Sequence, residues 1–330
     1  METITTLLPR GFTMRAPTMA DCEAVTNVIS ASETALYGES ETTLEEVRTY
    51  WQAPGFNITT DAWVVLSPER QIVAAASTDH REHALVYAEG FVHPVYCGLG
   101  IGTYLLDLIE KRALEHIPLA PRDARVTLND STDSLNIAAQ GLLEKQGFKL
   151  VRNFWRMGIE MNEAPPTPQW ADGITVRTMA PGMERAVFEA DQEAFQDHWG
   201  HMPEEFEEWE HRKLEREGFD PSLWFLAMDG DEIAGVSLCK DEKESGGWVQ
   251  NLAVRRPWRR QGIGLALLYY SFAEFYRRGI RNVYLGVDAQ SLTGATRLYE
   301  RAGMHVVRQY NRYEKELRAG KELSTQSVDV

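Results

Sequence analysis

At 330 residues, with 43% hydrophobic and 25% charged positions, the chain has the composition of an ordinary soluble protein and length for two domains that each bury a core. Its formal net charge of −15 argues against nucleic acid as a partner, because such binding rests on many Lys and Arg contacts to phosphate; cationic amines suit it better. No apolar run reaches the roughly 18 residues of a membrane span, and Met1-Glu2-Thr3-Ile4-Thr5-Thr6 lacks the basic-then-apolar order of a signal peptide, so no membrane partner and a cytoplasmic location are expected. Cys22, Cys97 and Cys239 are odd in number and show no metal-ligand spacing, which predicts reduced thiols and no metal.

In chain order, the pattern predicts a strand at 11–15, a helix over 20–32 begun near Thr18 or Asp21, and a hairpin of 63–66 with 72–76. Strands at 85–92 and 125–128 lie either side of a helix over 103–114. Pro165, Pro166 and Pro168 cannot propagate a helix or a central strand, so a linker at 161–172 is expected between an N-terminal domain, 1–160, and a C-terminal one, 173–318. The second half repeats the order: a strand at 174–177, a helix over 183–195, then Asp197-His198-Trp199-Gly200-His201. The acidic run from Glu204 to Glu210 reads as a solvated helix start with Phe206 and Trp209 turned inward. A hairpin of 224–228 with 233–237 turns at Asp229-Gly230-Asp231, and the polar tail 319–330 is expected to fray.

A strand at 248–254 and a helix over 265–278 enclose Arg255-Arg256-Pro257-Trp258-Arg259-Arg260-Gln261-Gly262-Ile263-Gly264. Glycine at 262 and 264 lets backbone N–H groups approach a ligand, and the helix start adds partial positive charge. That combination suits a pyrophosphate, with Arg259 placed to meet it. The loop lacks the glycine spacing of a dinucleotide fingerprint and the Gly-Lys-Ser/Thr of a Walker loop. A strand at 283–287 follows, then an amphipathic helix from Ala295 closed by Gly303.

The same grammar occurs earlier. Cys97-Gly98-Leu99-Gly100-Ile101-Gly102 precedes a helix, and the segment from Asn136 to Gly147 closes that half. Gly100 pairs with Gly262 and Gly147 with Gly303, so nearly the whole chain is an internal duplication. The halves differ where chemistry would sit: Cys97 stands for Arg259 and Leu143 for Tyr299. The C-terminal half is therefore the expected enzyme.

Arg259-x-x-Gly262-x-Gly264 with Ala295-x-x-x-Tyr299-Glu300-x-x-Gly303 resembles the signature of the GNAT superfamily of acyl-CoA-dependent N-acyltransferases. The resemblance implies an α/β fold of two tandem GNAT-like domains, each a mixed, mainly antiparallel sheet flanked by helices. It also implies that acetyl-CoA lies where the strand before the loop splays from the next. Backbone groups of Leu252, Ala253 and Val254 would hold the pantetheine arm, and the N–H groups of Arg260, Gln261, Gly262, Ile263 and Gly264, beside Arg259, the pyrophosphate. Tyr299 is implied as general acid. Asp288 is a candidate base or a cap for the next helix; His198, His201, Asp197, Glu193 and a water held by Gln250 are the other candidates. Asp197, His198, Trp199 and Gln250 are candidates for the acceptor pocket, with packing as the other reading for His198 and Trp199.

The tandem arrangement, with a degenerate first unit, is similar to that of mycothiol synthases. There an acidic residue on the strand before the loop serves as base, whereas residues 247–253 here carry no carboxylate. The Asn usual in the second motif is Leu292, while Asn136 keeps it in the first half. The expected activity is direct acetyl transfer from acetyl-CoA to a primary amine of a small molecule, without metal. A peptide or protein amino terminus, an aminoglycoside, or a non-catalytic acyl-CoA-binding scaffold are the alternatives. No sequence feature fixes an oligomeric state.

Overall fold

The computed structural model describes residues 7–40, 42–215 and 218–327. They form two compact units: residues up to Val151 with Asn311–Leu323, and Arg152–Tyr310 with the residues from Ser324 onward.

The chain runs β1 (Thr13–Arg15), α1 (Cys22–Tyr37), α2 (Leu44–Trp51), β2 (Ala62–Leu66), β3 (Ile72–Arg81), β4 (Leu85–Val92), α3 (Ile101–His116), β5 (Val126–Asp133) and α4 (Ile137–Lys145). Sequence reading passed over α2, although Thr43-x-x-Glu46 announces it: Thr43 Oγ1 accepts from the Glu46 N–H and the Glu46 carboxylate accepts from the Thr43 N–H. The strands lie in the order β1-β2-β3-β4-β5, antiparallel except for the parallel β4–β5 pair. One face is covered by α1 and α2 through Cys22, Val25, Val47 and Trp51; the other carries α3 and α4 through Ile101, Leu105, Ile109 and Leu143.

Next come β6 (Lys149–Glu160), β7 (Ile174–Thr178), α5 (Glu184–Phe195), α6 (Phe206–Lys213), β8 (Trp224–Asp229), β9 (Glu232–Asp241), β10 (Gly247–Val254), α7 (Ile263–Arg277), β11 (Asn282–Asp288), α8 (Ala295–Arg301) and β12 (His305–Arg318). The second unit's strand order is β7-β8-β9-β10-β11-β6, again with one parallel pair, β10–β11. α5 and α6 cover one face through Val187 and Trp209, and α7 and α8 the other through Leu267, Phe272 and Tyr299. Phe206 and Trp209 do pack inward at the start of the acidic helix.

The division of the chain departs from a cut at residue 160. From Arg152 on, β6 pairs with β11 of the second unit, Phe154 opposite Asp288 through Glu160 opposite Asn282. From Asn311 on, β12 lies beside β5 in the first unit, where Tyr313 is fully buried in the core. β6 thus closes the second unit's sheet, and β12, from beyond the second unit's other strands in sequence, closes the first; each covers an edge that would otherwise expose unpaired N–H and C=O groups. The tail is tied down as well. Arg125 binds Glu314, Glu316 and Glu322 at 2.5, 2.7 and 3.1 Å, and its N–H donates to Lys321 O at 2.8 Å. In the second unit Thr325 Oγ1 donates to Gln196 O and Trp199 Nε1 donates to Gln326. The expected fraying fails on the described part, because this polar tail finds polar partners; residues 328–330 lie outside the described residues.

Candidate active site

The site begins with a break in a sheet. β10 and β11 are paired only at Gly247–Val283 and Trp248–Tyr284, although both strands run on. A register shift in β10 between Val249 and Asn251 accompanies the separation. Beyond it the walls are Val249, Gln250 and Leu252 on one side and Leu285, Gly286 and Val287 on the other, enclosing a cavity of about 240 Å3. Because the Arg255 N–H donates to Ala234 on β9, alternation along an antiparallel pair turns Ala253 toward β9 and the backbone groups of Leu252 and Val254 toward the gap. The Ala253 side chain is buried in the core under α5 and α6, with Val236 and Leu238 of β9.

At the end of β10 the chain makes a short turn and enters α7. Arg260 and Gly262 both adopt left-handed backbone conformations, φ 64° and 84°. Gly262 is the N-cap of α7 and supplies no side-chain cap, and the first intrahelical bond at that end is Ala266 N–H to Gly262 O. The N–H groups of Ile263, Gly264 and Leu265 precede that bond and are left for a ligand, with the positive end of the helix behind them. Gly264 has a different reason to be glycine: a Cβ there would lie 3.1 Å from Leu298 Cδ1, so its absence lets α7 pack against α8.

Tyr299, on α8, lines the same cavity, and its hydroxyl makes no hydrogen bond among the described residues. Burial pushes its phenol up to about 12. The far wall holds Phe154, Trp155, Phe195, Trp199 and Tyr310, with His198 and Gln250 among them. His198 packs on Phe195 at 4.2 Å between ring centroids. Burial, with lesser help from His201 and Arg259, holds it down at about 4, so the ring is neutral at neutral pH. Gln250 Oε1 is buried with no hydrogen-bond partner.

The sequence matches the Acetyltransferase (GNAT) family twice, over residues 25–148 and 185–304. This chain belongs to the GNAT family. It is an N-acetyltransferase that uses acetyl-CoA. A GCN5-related N-acetyltransferase from Sphaerobacter thermophilus superposes with a TM-score of 0.82 at 40% identity, covering 97% of this chain and 100% of that one. A mycothiol acetyltransferase from Streptomyces scabiei is 31% identical over 222 residues, 66% of this chain and 67% of the relative. A tandem GNAT protein from the clavulanic acid biosynthesis pathway shares the fold, with a TM-score of 0.70 at 15% identity over 94% of this chain and 100% of its own. The tandem α/β architecture expected from the motifs is the one observed.

Within this GNAT protein the carboxylates near the cavity are all engaged. Asp197 is clamped by Arg256 and, at 2.5 Å, by Arg259, and the two guanidinium groups hold its carboxyl at about 2. Glu193 pairs with Arg255 at 2.7 Å. Asp288 receives Arg152 through both oxygens, at 2.7 and 3.0 Å, and also accepts from the Gln290 N–H, so it braces the loop after β11 and does not cap α8. Ser291 Oγ accepts from the Ala295 N–H at 3.3 Å, a capping position that Leu292 cannot serve. Arg259 itself is occupied: it donates to Val254 O at 2.9 Å, to Ala194 O at 3.2 Å and to Asp197. The guanidinium expected to meet phosphate therefore ties the loop to α5. Arg260 is exposed in the loop, as is Arg256, and Gln261 bonds back to Pro257 O at 3.3 Å. His201 lies outside the residues that line the cavity.

Residues that sequence reading missed form the far wall and its support. Arg152 stacks over Trp199 at 4.9 Å, and Phe154 meets Trp199 at 6.2 Å. Behind β10, Lys213 donates to Asn251 Oδ1 at 2.7 Å and Asn251 donates to Asp191 at 2.8 Å, while Trp209 Nε1 donates to Asp191 at 3.3 Å. This buried network joins α5 and α6 to the strand at its bulge. Burial pushes the Asp191 carboxyl up. None of these has a local sequence signal, because each depends on pairs more than fifteen residues apart.

Proposed function

We propose that this enzyme transfers an acetyl group from acetyl-CoA to the neutral primary amine of a small molecule bound in the second unit. The observation that carries the reading is the meeting, in one cavity, of a slot between parted strands and a free phenol on α8, beside an uncapped helix N-terminus. The backbone of Leu252 and the N–H of Val254 would hold the pantetheine arm, and the N–H groups of Gly262, Ile263 and Gly264, with Arg260, the pyrophosphate. Arg259 acts in this reading by fixing the loop, since its donors are already taken. The bound thioester supplies an activated acyl group and a thiolate leaving group.

Tyr299 is the proposed general acid. A phenol held at about 12 stays protonated at any working pH, and it is positioned to donate as negative charge appears on sulfur. Desolvation that raises the phenol raises the thiol too, so the mismatch between the two groups does not widen by the whole of the phenol's shift.

The acceptor amine must lose its proton first. For a lysine-like pKa near 10.4 the neutral form costs roughly 4–5 kcal/mol at pH 7. The carboxylates are paired, so Asp288 and Asp197 fit structural roles better than that of base. Gln250 Oε1 offers an unused acceptor on β10 for the amine N–H or for a water that carries its proton away. Neutral His198 stands in the same cavity. Aromatic walls of Phe154, Trp155, Trp199 and Tyr310 lower the cost of holding an uncharged amine. A cavity of about 240 Å3 suits a small acceptor more than a folded protein terminus. The mycothiol acetyltransferase relative supports a small-molecule acceptor, while β10 lacks the carboxylate expected of that chemistry.

The test is a panel of small amines, aminoglycosides and amino-terminal peptides assayed for acetyl-CoA-dependent thiol release. Turnover confined to peptides would overturn the acceptor class, and unchanged turnover in Tyr299→Phe would overturn the acid.

A further inference from the structure

The first unit holds a cluster that plays no part in acetyl transfer. His80 is the last but one residue of β3, His83 lies in the turn to β4, and His116 is the last residue of α3. One ring nitrogen from each lies within 4.8 Å of the others. His83 Nδ1 and His116 Nδ1 are 2.8 Å apart, His80 stacks on His83 at 4.0 Å between centroids, and His80 lies 4.6 Å from His116. His80 Nδ1 accepts a long bond from the His83 N–H at 3.3 Å, so this nitrogen carries the ring's lone pair and can exchange that weak contact for an ion. His116 is 2% exposed, whereas His80 and His83 are half-buried, so an ion has a route in from solvent.

The backbone is bent to bring His83 there. The Ala84 N–H donates to Arg81 O, and Glu82 and His83 both take left-handed conformations, φ 51° and 54°. That geometry is a type I′ turn, whose two central positions ordinarily favour Asn-Gly. A charged residue and a histidine in those places run against local preference. Strain of this kind persists where the surroundings over-determine it.

We propose that His80, His83 and His116 form a site for a divalent transition-metal ion, Zn2+ before others, which pins the β3–β4 turn to the C-terminal end of α3. Imidazole nitrogens suit such an ion, and three of them with one water complete a tetrahedral Zn2+ shell. Zn–N bonds of about 2.0–2.1 Å in tetrahedral geometry separate the nitrogens by roughly 3.4 Å. The 2.8 Å contact between His83 and His116 opens by only a fraction of an ångström to admit the ion. The site is separate from the transfer cavity, whose lining residues all belong to the second unit. No metal is expected for acetyl transfer, and the role proposed here is structural. A His-x-x-His pair whose third partner lies thirty-three residues on has no spacing signal of its own.

The experiment is calorimetric titration of Zn2+ into the full, untagged, metal-stripped chain, compared with His83→Asn and His80→Ala. Asn tolerates the left-handed turn position, so His83→Asn keeps the fold while losing a ligand. The expected result is one Zn2+ per wild-type chain, affinity at least 100-fold lower in both variants, and a Zn2+-dependent rise in melting temperature only in the wild type. Acetyl-CoA binding by His83→Asn serves as the fold control and is expected to match the wild type. Co2+ in place of Zn2+ is expected to give the intense visible bands of a four-coordinate ion. Absence of saturable uptake, or uptake unchanged in folded His83→Asn, overturns the proposal.

Discussion

The two units share a backbone and differ in what they place on it. Gly100 and Gly262 sit at the same turn with φ 85° and 84°, each the N-cap of the helix that follows. In the first unit β4 and β5 stay paired for four residues, through Ala88–Asp130, whereas β10 and β11 part after two, at Trp248–Tyr284. Counting back from the shared glycine, Tyr87 and Ala88 are paired where Val249 and Gln250 are free to line a cavity. The side chains follow suit. Leu143 is buried in the core where Tyr299 presents a phenol, and the exposed Cys97 makes long contacts with Val92 O and His93 O where Arg259 binds Val254 O. A duplicated loop thus keeps its conformation because glycine and helix geometry hold it, while a functional slot also needs the strands to separate and the right groups to face the gap.

The largest expected effect comes from removing the group that most distinguishes the units. Tyr299→Phe is expected to lower kcat by about 10²-fold or more with the acetyl-CoA Kd unchanged, read by steady-state kinetics and calorimetry. Equal losses in kcat and in cofactor binding would mean that Tyr299 packs the slot and does not donate. Next, Gln250→Leu fills the widened part of the slot with an apolar side chain and is expected to raise the acceptor KM roughly tenfold, the worth of one hydrogen bond of about 1.4 kcal/mol. The equivalent change in the first unit, Ala88→Leu, is expected to leave kinetics alone.

Calorimetry of acetyl-CoA binding is expected to give one site per chain. A second site would show that the first unit's backbone loop suffices without the parted strands. Smaller effects bear on what the units share. Gly262→Ala and Gly100→Ala each place a Cβ at a left-handed position and are expected to cost about 1 kcal/mol in unfolding free energy, with only the former weakening acetyl-CoA.

The smallest effect is on acid stability. His198 is held at about 4 against 6.5 for an ordinary imidazole, so between those values the unfolded chain binds a proton that the folded chain does not. Stability from this group is therefore fully present above pH 6.5 and falls as the pH drops toward 4. His198→Asn is expected to flatten that part of the melting-temperature profile. A profile unchanged by the substitution would show that the ring titrates normally.

How much could be read in advance depended on how local each cause was. Gly262 announced its turn because a left-handed cap favours glycine, and Gly303 closed α8 for the same reason, with φ 92°. Tyr299 was singled out by the resemblance of its helix to the second GNAT motif, since the first half has Leu143 in its place. Arg259 was legible as important, but its partners within the chain were not: its cation meets Asp197, sixty-two residues away, and two backbone carbonyls. Asp288 likewise looked free until Arg152, 136 residues earlier in the chain, was seen to hold it.

The sequence alone determined the family, the duplication and the turns, because each rests on backbone conformation or on a spacing repeated between the halves. Tertiary structure decided which strand closes which sheet, where β10 leaves β11, and which carboxylates are already neutralised by arginine. Those outcomes turn on pairing between residues far apart in the chain. An unpaired sheet edge or an unpaired buried charge is too costly to leave, and the chain satisfies both with whichever partner the fold brings near.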